Sequence, residues 1–298
     1  MLTTLCPPLT MIRKKINKIL HRGLRKLFMV AEAWFGLHIT RAHFYSPIPT
    51  VGELKPEVFS RTNDCPGIDF DAPGQLDRLA YVSGKYLREY TPRQNSGLAQ
   101  VDAFVLYAFI REKKPKNMIE VGSGESTMIA LAAIRKNAEE GFACKFTAIE
   151  PYPKAYLQKI EDRDFLLIAK KVQDVDMSVF LETDILFIDS SHVSKIDSDV
   201  NYEILNIVPR LKVGAMVHWH DIMIPAEYPR AWIESTTQFW NESYIVHAFM
   251  LHNRAFAIRW ASKYMQLLHP MQLYAAVPFF VPEDPNEQLS SFWVQRVN

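Results

Sequence analysis

One run of twelve residues constrains the fold more than any other: Lys116 to Thr127 reads KNMIEVGSGEST. Met118 to Val121 is short, apolar apart from Glu120 and bounded by turn residues, which predicts a buried strand. Gly122 and Gly124 let the backbone turn tightly with no Cβ between it and a ligand. The next residues have helical spacing after a Ser/Thr cap. The run therefore predicts a strand, a glycine turn and a helix N-terminus, which attracts anionic groups.

A tight strand–helix turn that binds nothing would have the same pattern, so a second signal has to decide. Phe146 to Glu150 is an apolar run ending in an acid, which is placed to accept hydrogen bonds from both hydroxyls of a ribose. Glu120 needs a partner when buried, and a cationic amine would provide one. A ribose and an amine together favour S-adenosylmethionine over a dinucleotide.

A nicotinamide-dependent oxidoreductase is the alternative that uses the same turn. Thr127 stands where the dinucleotide fingerprint has its third glycine. The separation of Gly122 from Glu150 also exceeds the roughly 20 residues usual for that fingerprint. Both features disfavour the oxidoreductase.

Four segments, in order, resemble the motifs of class I S-adenosylmethionine-dependent methyltransferases over about residues 90–260. They are Ile119 to Thr127, Ile149 to Pro151, Leu186 to His192, and Pro209 to Gly214 followed by His218 to Ile222. The subgroup that the chain resembles most is the small-molecule and sugar O-methyltransferase-like one. The resemblance implies an α/β, Rossmann-like fold with a mostly parallel seven-stranded sheet, an antiparallel last strand and an N-terminal helical extension.

The resemblance also implies where S-adenosylmethionine binds. The expected cofactor contacts are Glu120, Gly122, Ser123, Gly124, Ser126, Thr127, Glu150, Pro151, Gln173, Asp174, Asp189 and Ser190. Gln173 and Asp174 follow the third strand, where the adenine edge lies in this fold. The expected acceptor is the hydroxyl of a small molecule or glycan. A non-catalytic or differently acting membrane-associated protein with this fold is the alternative.

Catalysis is expected where the fourth and fifth strands end, because these strands are neighbours in the class I fold. Asp189 and His192 follow one strand, and His220 and Asp221 follow the other. Methyl transfer to oxygen requires that the acceptor be aligned and lose its proton. His220 is the preferred base with Asp221 orienting it, His192 is the competing base, and His218 is expected to be structural. No metal ligand is assigned, although Asp189, Asp221 and one histidine could hold Mg²⁺.

The charge of the chain is unevenly distributed. The net charge of +1 gives no indication of nucleic-acid binding, but residues 1–46 hold eight Lys or Arg residues against the single acid Glu32, a balance of +7. Apolar residues from Ile12 to Phe28 share one helical face. Residues 11–40 are therefore predicted to lie on an anionic membrane surface or, alternatively, to pack on the enzyme with their lysines in water.

Three regions follow from these patterns: a basic amphipathic helical extension (1–46), a lid segment (47–95) and a catalytic core (96–298) within a methyltransferase domain (47–298). Three widely spaced cysteines without metal-ligand spacing indicate free thiols and a cytoplasmic location, with the inner membrane surface as a peripheral site. The oligomeric state is not predicted.

Periodicity predicts further elements along the chain. It indicates helices at 155–161 and 232–251 and strands at 254–260 and 291–297, with an aromatic, proline-containing loop at 269–284 between the strands. A polar turn at 95–97 is expected over the cofactor cleft.

Overall fold

Seven strands form one sheet in a computed structural model that describes residues 26–39, 43–93, 97–282, 284 and 287–298. The strand order is β3-β2-β1-β4-β5-β7-β6. The bounds are Asn117–Val121 (β1), Lys145–Ile149 (β2), Phe165–Ile168 (β3), Ile185–Ile188 (β4), Met216–Trp219 (β5), Phe256–Ala261 (β6) and Phe292–Arg296 (β7). The first five strands pair in parallel, and β7 pairs antiparallel with both β5 and β6. The predicted fold class is confirmed.

The central strand β4 shows why this sheet lies inside the molecule. Its sequence, Ile-Leu-Phe-Ile, is fully buried, as expected for a parallel strand covered on both faces. Because side chains alternate along a strand, Ile185 and Phe187 join one hydrophobic core and Leu186 and Ile188 join another. The two cores fix the sheet between its helices, so the strand ends are held in place.

Helices connect and cover the strands. Their bounds are Pro56–Ser60 (α1), Ala72–Tyr86 (α2), Gln100–Lys113 (α3), Glu125–Glu139 (α4), Ser178–Leu181 (α5), Asp199–Tyr202 (α6), Arg230–Thr236 (α7), Glu242–Met250 (α8), Ser262–Leu268 (α9) and Pro270–Ala276 (α10). A π-helical turn at Glu203–Ile207 continues α6. Residues 26–35, nearer the N-terminus, are also helical.

The long helix predicted at 232–251 is wrong, because it is two helices. Thr237 adopts a left-handed conformation with φ of 53°, which ends α7. The backbone N–H groups of Asn241 and Glu242 then donate to the carbonyl of His192, at 3.1 and 3.2 Å. These tertiary hydrogen bonds draw the start of α8 towards the end of β4, and helical periodicity alone carries no sign of them.

Two shorter predictions are also corrected. Residues 155–161 contain only a 3₁₀ turn at Leu157–Lys159, and Ile160 is already extended. The loop predicted at 269–284 contains α10, which begins with Pro270. Proline is favoured at a first helical position because its missing N–H has no partner there in any case.

The chain divides into two compact units, Met1–Lys55 and Pro56–Asn298. The predicted boundaries at 46/47 and 95/96 stay predictions. The part of the predicted basic helix up to residue 25 lies outside the described residues. Residues 95 and 96 of the predicted polar turn also lie outside them. Among the residues that are described, no helix is long and apolar enough to cross a membrane.

Candidate functional site

The turn after β1 is pressed against the end of β4. Gly122 has φ of +81°, and a Cβ on it would lie 1.8 Å from the backbone oxygen of Asp189. Its N–H donates to the carbonyl of Ile149 on β2, at 3.0 Å. Packing therefore requires glycine at this position. Gly124 differs, because a Cβ there would meet no atom within 4 Å.

Glu120 is fully buried beneath this turn. Its two carboxyl oxygens accept hydrogen bonds from the hydroxyls of Ser126 and Thr127, each at 2.6 Å. Burial raises the pKa of Glu120 to about 8, although these two hydroxyls oppose the shift. Ser126 and Thr127 thus supply the partners that the sequence assigned to a cofactor amine, and their buried side chains shape the turn.

Glu150, at the end of β2, is held by the backbone on both sides. Its carboxylate accepts from the N–H of Ser123 at 3.3 Å and from that of Tyr152 at 2.8 Å. Two fixed donors orient the carboxylate and leave its remaining lone pairs for a ligand. This arrangement fits the hydroxyls of a ribose.

A cleft of about 400 Å³ opens beside Glu150 at the carboxyl ends of the parallel strands. Pockets of 300–1,000 Å³ are typical for small ligands. The lining residues are Val121, Gly122, Ile149, Glu150, Pro151, Tyr152, Lys171, Val172, Gln173, Asp189, Ser190, Ser191, Lys195, Asp197, Ser198 and Asp199. Six of the predicted cofactor residues are thus brought together, and the cleft has room for an adenosine-sized ligand.

The predicted cofactor residues differ in how they relate to the cleft. Asp174 is exposed and does not line the cleft. Ser123 contributes its backbone to Glu150. Gln173 does line the cleft, and its side-chain amide donates to the carbonyl of Asp197 at 2.9 Å. Two lysines of the lining, Lys171 and Lys195, were not predicted.

A second cluster adjoins this cleft, because β4 and β5 are neighbours. His220 Nδ1 lies 3.4 Å from a carboxylate oxygen of Asp189 and 3.4 Å from one of Asp221. His192 Nε2 lies 3.2 Å from Asp189 and 3.5 Å from Asp221. The structure therefore brings together all four residues predicted for catalysis.

The backbone of the cluster is unusual. His192 and Asp221 both have positive φ, 59° and 55°, although neither is glycine. Such conformations are costly and concentrate at functional sites. The sequence does not indicate a positive φ at either position.

Protonation distinguishes the histidines of this region. Burial lowers the pKa of His220, but the carboxylates of Asp221 and Asp189 outweigh burial and raise it well above its usual value. Burial opposes a similar rise at His192, where Asp189 and Glu242 raise the pKa to about 10. Both shifts favour the cationic form of the imidazole at neutral pH. Burial lowers the pKa of His218, which stays neutral.

His218 has the structural role predicted for it. It is fully buried, its ring stacks 3.9 Å from that of Phe187, and its Nε2 lies 2.9 Å from the hydroxyl of Ser291. These contacts keep His218 away from the cleft.

Two groups that contact the cluster, and a third that contacts one of these two, were missed by the sequence interpretation. Glu242 is fully buried, with a carboxylate oxygen 2.9 Å from His192 Nδ1. The hydroxyl of Ser290 lies 3.3 Å from His220 Nε2 and donates to Asp221 at 3.0 Å. Asp102, buried on α3, accepts from the backbone N–H of Ser290 at 2.8 Å. Each is 50 or more residues from its partner in the sequence, so no local pattern indicates it.

The same cluster offers ligands for a cation. One ligand atom from each of Asp189, His220 and Asp221 can be chosen so that all three lie within 4.8 Å of one another. Two carboxylates and an imidazole suit a divalent ion.

Comparison with known proteins places this geometry in a family. A sequence profile of the methyltransferase domain matches residues 119–222, which contain both the glycine turn and the His220–Asp221 pair. An uncharacterized protein of Archaeoglobus fulgidus is 34% identical over 191 residues, which is 57% of this chain and 83% of that protein.

Solved structures of low similarity also match. SAH-bound PaMTH1 of Podospora anserina is a methyltransferase with 14% identity and a TM-score of 0.43, over 87% of this chain and all of that one. The O-methyltransferase TomG of Streptomyces achromogenes, in complex with SAM, has 8% identity and a TM-score of 0.42, over 78% and 92%.

The domain match spans the glycine turn and the acidic strand end that the sequence predicted, on a sheet with the strand order described above. The chain belongs to the class I S-adenosylmethionine-dependent methyltransferases.

Proposed function

We propose that this enzyme transfers the methyl group of S-adenosylmethionine to a hydroxyl of a small-molecule or glycan-type acceptor. One observation carries the proposal: Asp189 lines the cofactor cleft and also lies within 3.4 Å of both His192 and His220. Asp189 therefore connects the cleft assigned to the methyl donor with the side chains that could assist removal of a hydroxyl proton. A hydroxyl acceptor needs such groups, because it is a poor nucleophile until it loses its proton.

Within the cleft we assign the ribose to Glu150 and the adenosyl wall to Pro151 and Gln173. Gly122, Asp189 and Ser190 complete the cleft nearest the second cluster. We keep Glu120, Ser123, Gly124, Ser126 and Thr127 as the residues that shape the turn around the cofactor. Fixed backbone donors and a buried acid under the turn support this assignment.

His220 as a free base at neutral pH is disfavoured by its surroundings. An imidazole whose pKa is raised well above the usual value already carries the proton that a base must accept. We therefore propose that Asp189, His220 and Asp221 hold a divalent cation, with His220 deprotonated in that state. A cation in this position would lower the pKa of an acceptor hydroxyl. Asp221 and Ser290 fix the ring of His220, and Glu242 fixes His192.

Chelation distinguishes the two mechanisms. We expect a chelator to abolish methyl transfer from labelled S-adenosylmethionine to hydroxyl acceptors, and Mg²⁺ or Mn²⁺ to restore it. His220→Ala should lose at least a hundredfold in kcat, whereas the exposed control His38→Ala should match the wild type. If chelation has no effect while activity rises with pH through one ionisation that His220→Ala removes, His220 is a free base.

We also propose that residues 11–40 bind the anionic inner surface of the membrane, with the enzyme in the cytoplasm. The +7 balance of residues 1–46 supports this, and so does the exposure of Trp34 and Phe35, at 80% and 73%, at the end of the helical stretch 26–35. Basic residues beside exposed aromatic side chains are typical of helices that lie in the membrane interface.

A further inference from the structure

A group of aromatic side chains packs beside His192 of the catalytic cluster. The ring of Trp240 lies 4.4 Å from that of His192, between centroids. Trp232 lies 5.1 Å from Trp240, with 71° between their planes, and Tyr228 lies 6.1 Å from Trp232. Tyr228 is buried, whereas both tryptophans are partly exposed. Two partly exposed indoles, steeply inclined to each other, thus form a corner beside His192.

The break between α7 and α8 fixes this corner to the cluster. Besides the two N–H groups that donate to the carbonyl of His192, the side chain of Asn241 accepts from the backbone N–H of Ser194 at 2.6 Å. Glu242 contacts the imidazole of His192 itself. Hydrogen bonds on both sides of His192 therefore hold Trp240, which directly precedes Asn241, in one position.

The corner begins one side chain away from the cofactor cleft. Asp189 lines the cleft, His192 lies 3.2 Å from Asp189, and Trp240 packs on His192. An acceptor that reacts at the junction of the cleft and the cluster would therefore have these indoles within reach.

Packing alone does not require tryptophan to be exposed here. Trp219, Trp260 and Trp293 are fully buried in the same unit. An indole left partly in water keeps apolar area that a ligand can cover, and its face stacks well on other rings. The exposed parts of Trp232 and Trp240 are therefore suited to contact with the flat, apolar surface of a ring.

We propose that Trp232 and Trp240 form the acceptor-binding wall, and that the acceptor is a hydroxylated ring, such as a sugar or a phenol, rather than an open-chain alcohol. This inference rests on the proposed hydroxyl methylation. Trp232 determines acceptor affinity without touching the reacting groups, whereas Trp240 also supports His192.

The experiment uses methyl hexopyranosides, catechol and the open-chain alcohol glycerol as probes. Binding is measured by saturation-transfer NMR, and turnover by label transfer from S-adenosylmethionine. For a ring probe that is turned over, we expect Trp232→Ala to raise KM about tenfold or more while kcat changes less than about threefold. Trp240→Phe, which keeps a ring, should retain most of the affinity, and the exposed control Tyr274→Ala on α10 should equal the wild type.

These measurements distinguish a failure of the acceptor-binding wall from a failure of the proposed cofactor site. An unchanged KM in Trp232→Ala, or a lower KM for glycerol than for the ring probes, would overturn the inference. Where no probe is turned over, NMR decides: ring binding that Trp232→Ala weakens supports the wall, and equal or absent ring binding overturns it. Calorimetry with S-adenosylhomocysteine on the same protein tests the cofactor site separately. A negative result for Trp232 and Trp240 therefore does not affect the assignment of the cofactor site.

Discussion

Gly122 and Gly124 look equivalent in the sequence, but they have different roles in the structure. We expect Gly122→Ala to lower the free energy of unfolding by at least about 2 kcal/mol, because alanine is strained at φ of +81° and its Cβ would overlap the backbone of Asp189. Gly124→Ala should change it by less than about 1 kcal/mol, since the space there is open. Urea denaturation of both variants measures the difference. If both variants were destabilised equally, the close approach to Asp189 would not be the reason that glycine is required at position 122.

Glu120 gives the protein a specific dependence on pH. Its pKa rises from 4.5 in the unfolded chain to about 8 in the folded one, so the folded state holds an extra proton between these values. The contribution of this group to stability is therefore full below pH 4.5 and is lost as pH rises to about 8. Glu120→Gln cannot ionise and should not show this loss.

Urea denaturation at pH 5 and pH 8.5 measures the effect. We expect the free energy of unfolding of the wild type to fall by roughly 2 to 4 kcal/mol more than that of Glu120→Gln over this interval. Glu139→Gln, at an exposed position on α4, should fall as the wild type does. The raised pKa would be contradicted if Glu120→Gln followed the wild type as well.

At the scale of elements, the sequence predicts strands better than it predicts the links between helices. The strands from β1 to β5 stand out because short apolar runs such as Ile185 to Ile188 are bounded by turn residues. The break before Glu242 could not be predicted, since it depends on hydrogen bonds to His192, 50 residues earlier. The same fold that brings these residues together creates the tryptophan corner, which is why the acceptor side of the site was missed.

The N-terminal helical element has its own prediction. We expect the full chain to sediment with anionic liposomes and to be released by salt, since each basic residue near such a surface contributes about 1 kcal/mol. Deletion of residues 1–28 should abolish sedimentation and leave affinity for S-adenosylhomocysteine unchanged. Liposomes of neutral lipid serve as the control. If the truncated protein sediments as the full chain does, the membrane proposal is wrong.

For the whole molecule, parallel β-α units place one end of β1, β2, β4 and β5 at a common edge. That rule let the sequence predict the convergence of Asp189, His192, His220 and Asp221, because it needs only strand order. It could not predict protonation, which depends on how closely carboxylates approach each imidazole after burial. Nor could it identify Asp102 or Ser290, which reach the site from α3 and from the segment before β7.

Calorimetric titration with S-adenosylhomocysteine tests the account most directly, because every assignment depends on what the cleft binds. We predict micromolar binding to the wild type, about −8 kcal/mol. Glu150→Ala should weaken it by roughly 1–3 kcal/mol through the loss of charge-assisted hydrogen bonds to the ribose, and Glu139→Ala should not weaken it. The account would be contradicted if S-adenosylhomocysteine failed to bind the wild type while NADH bound clearly.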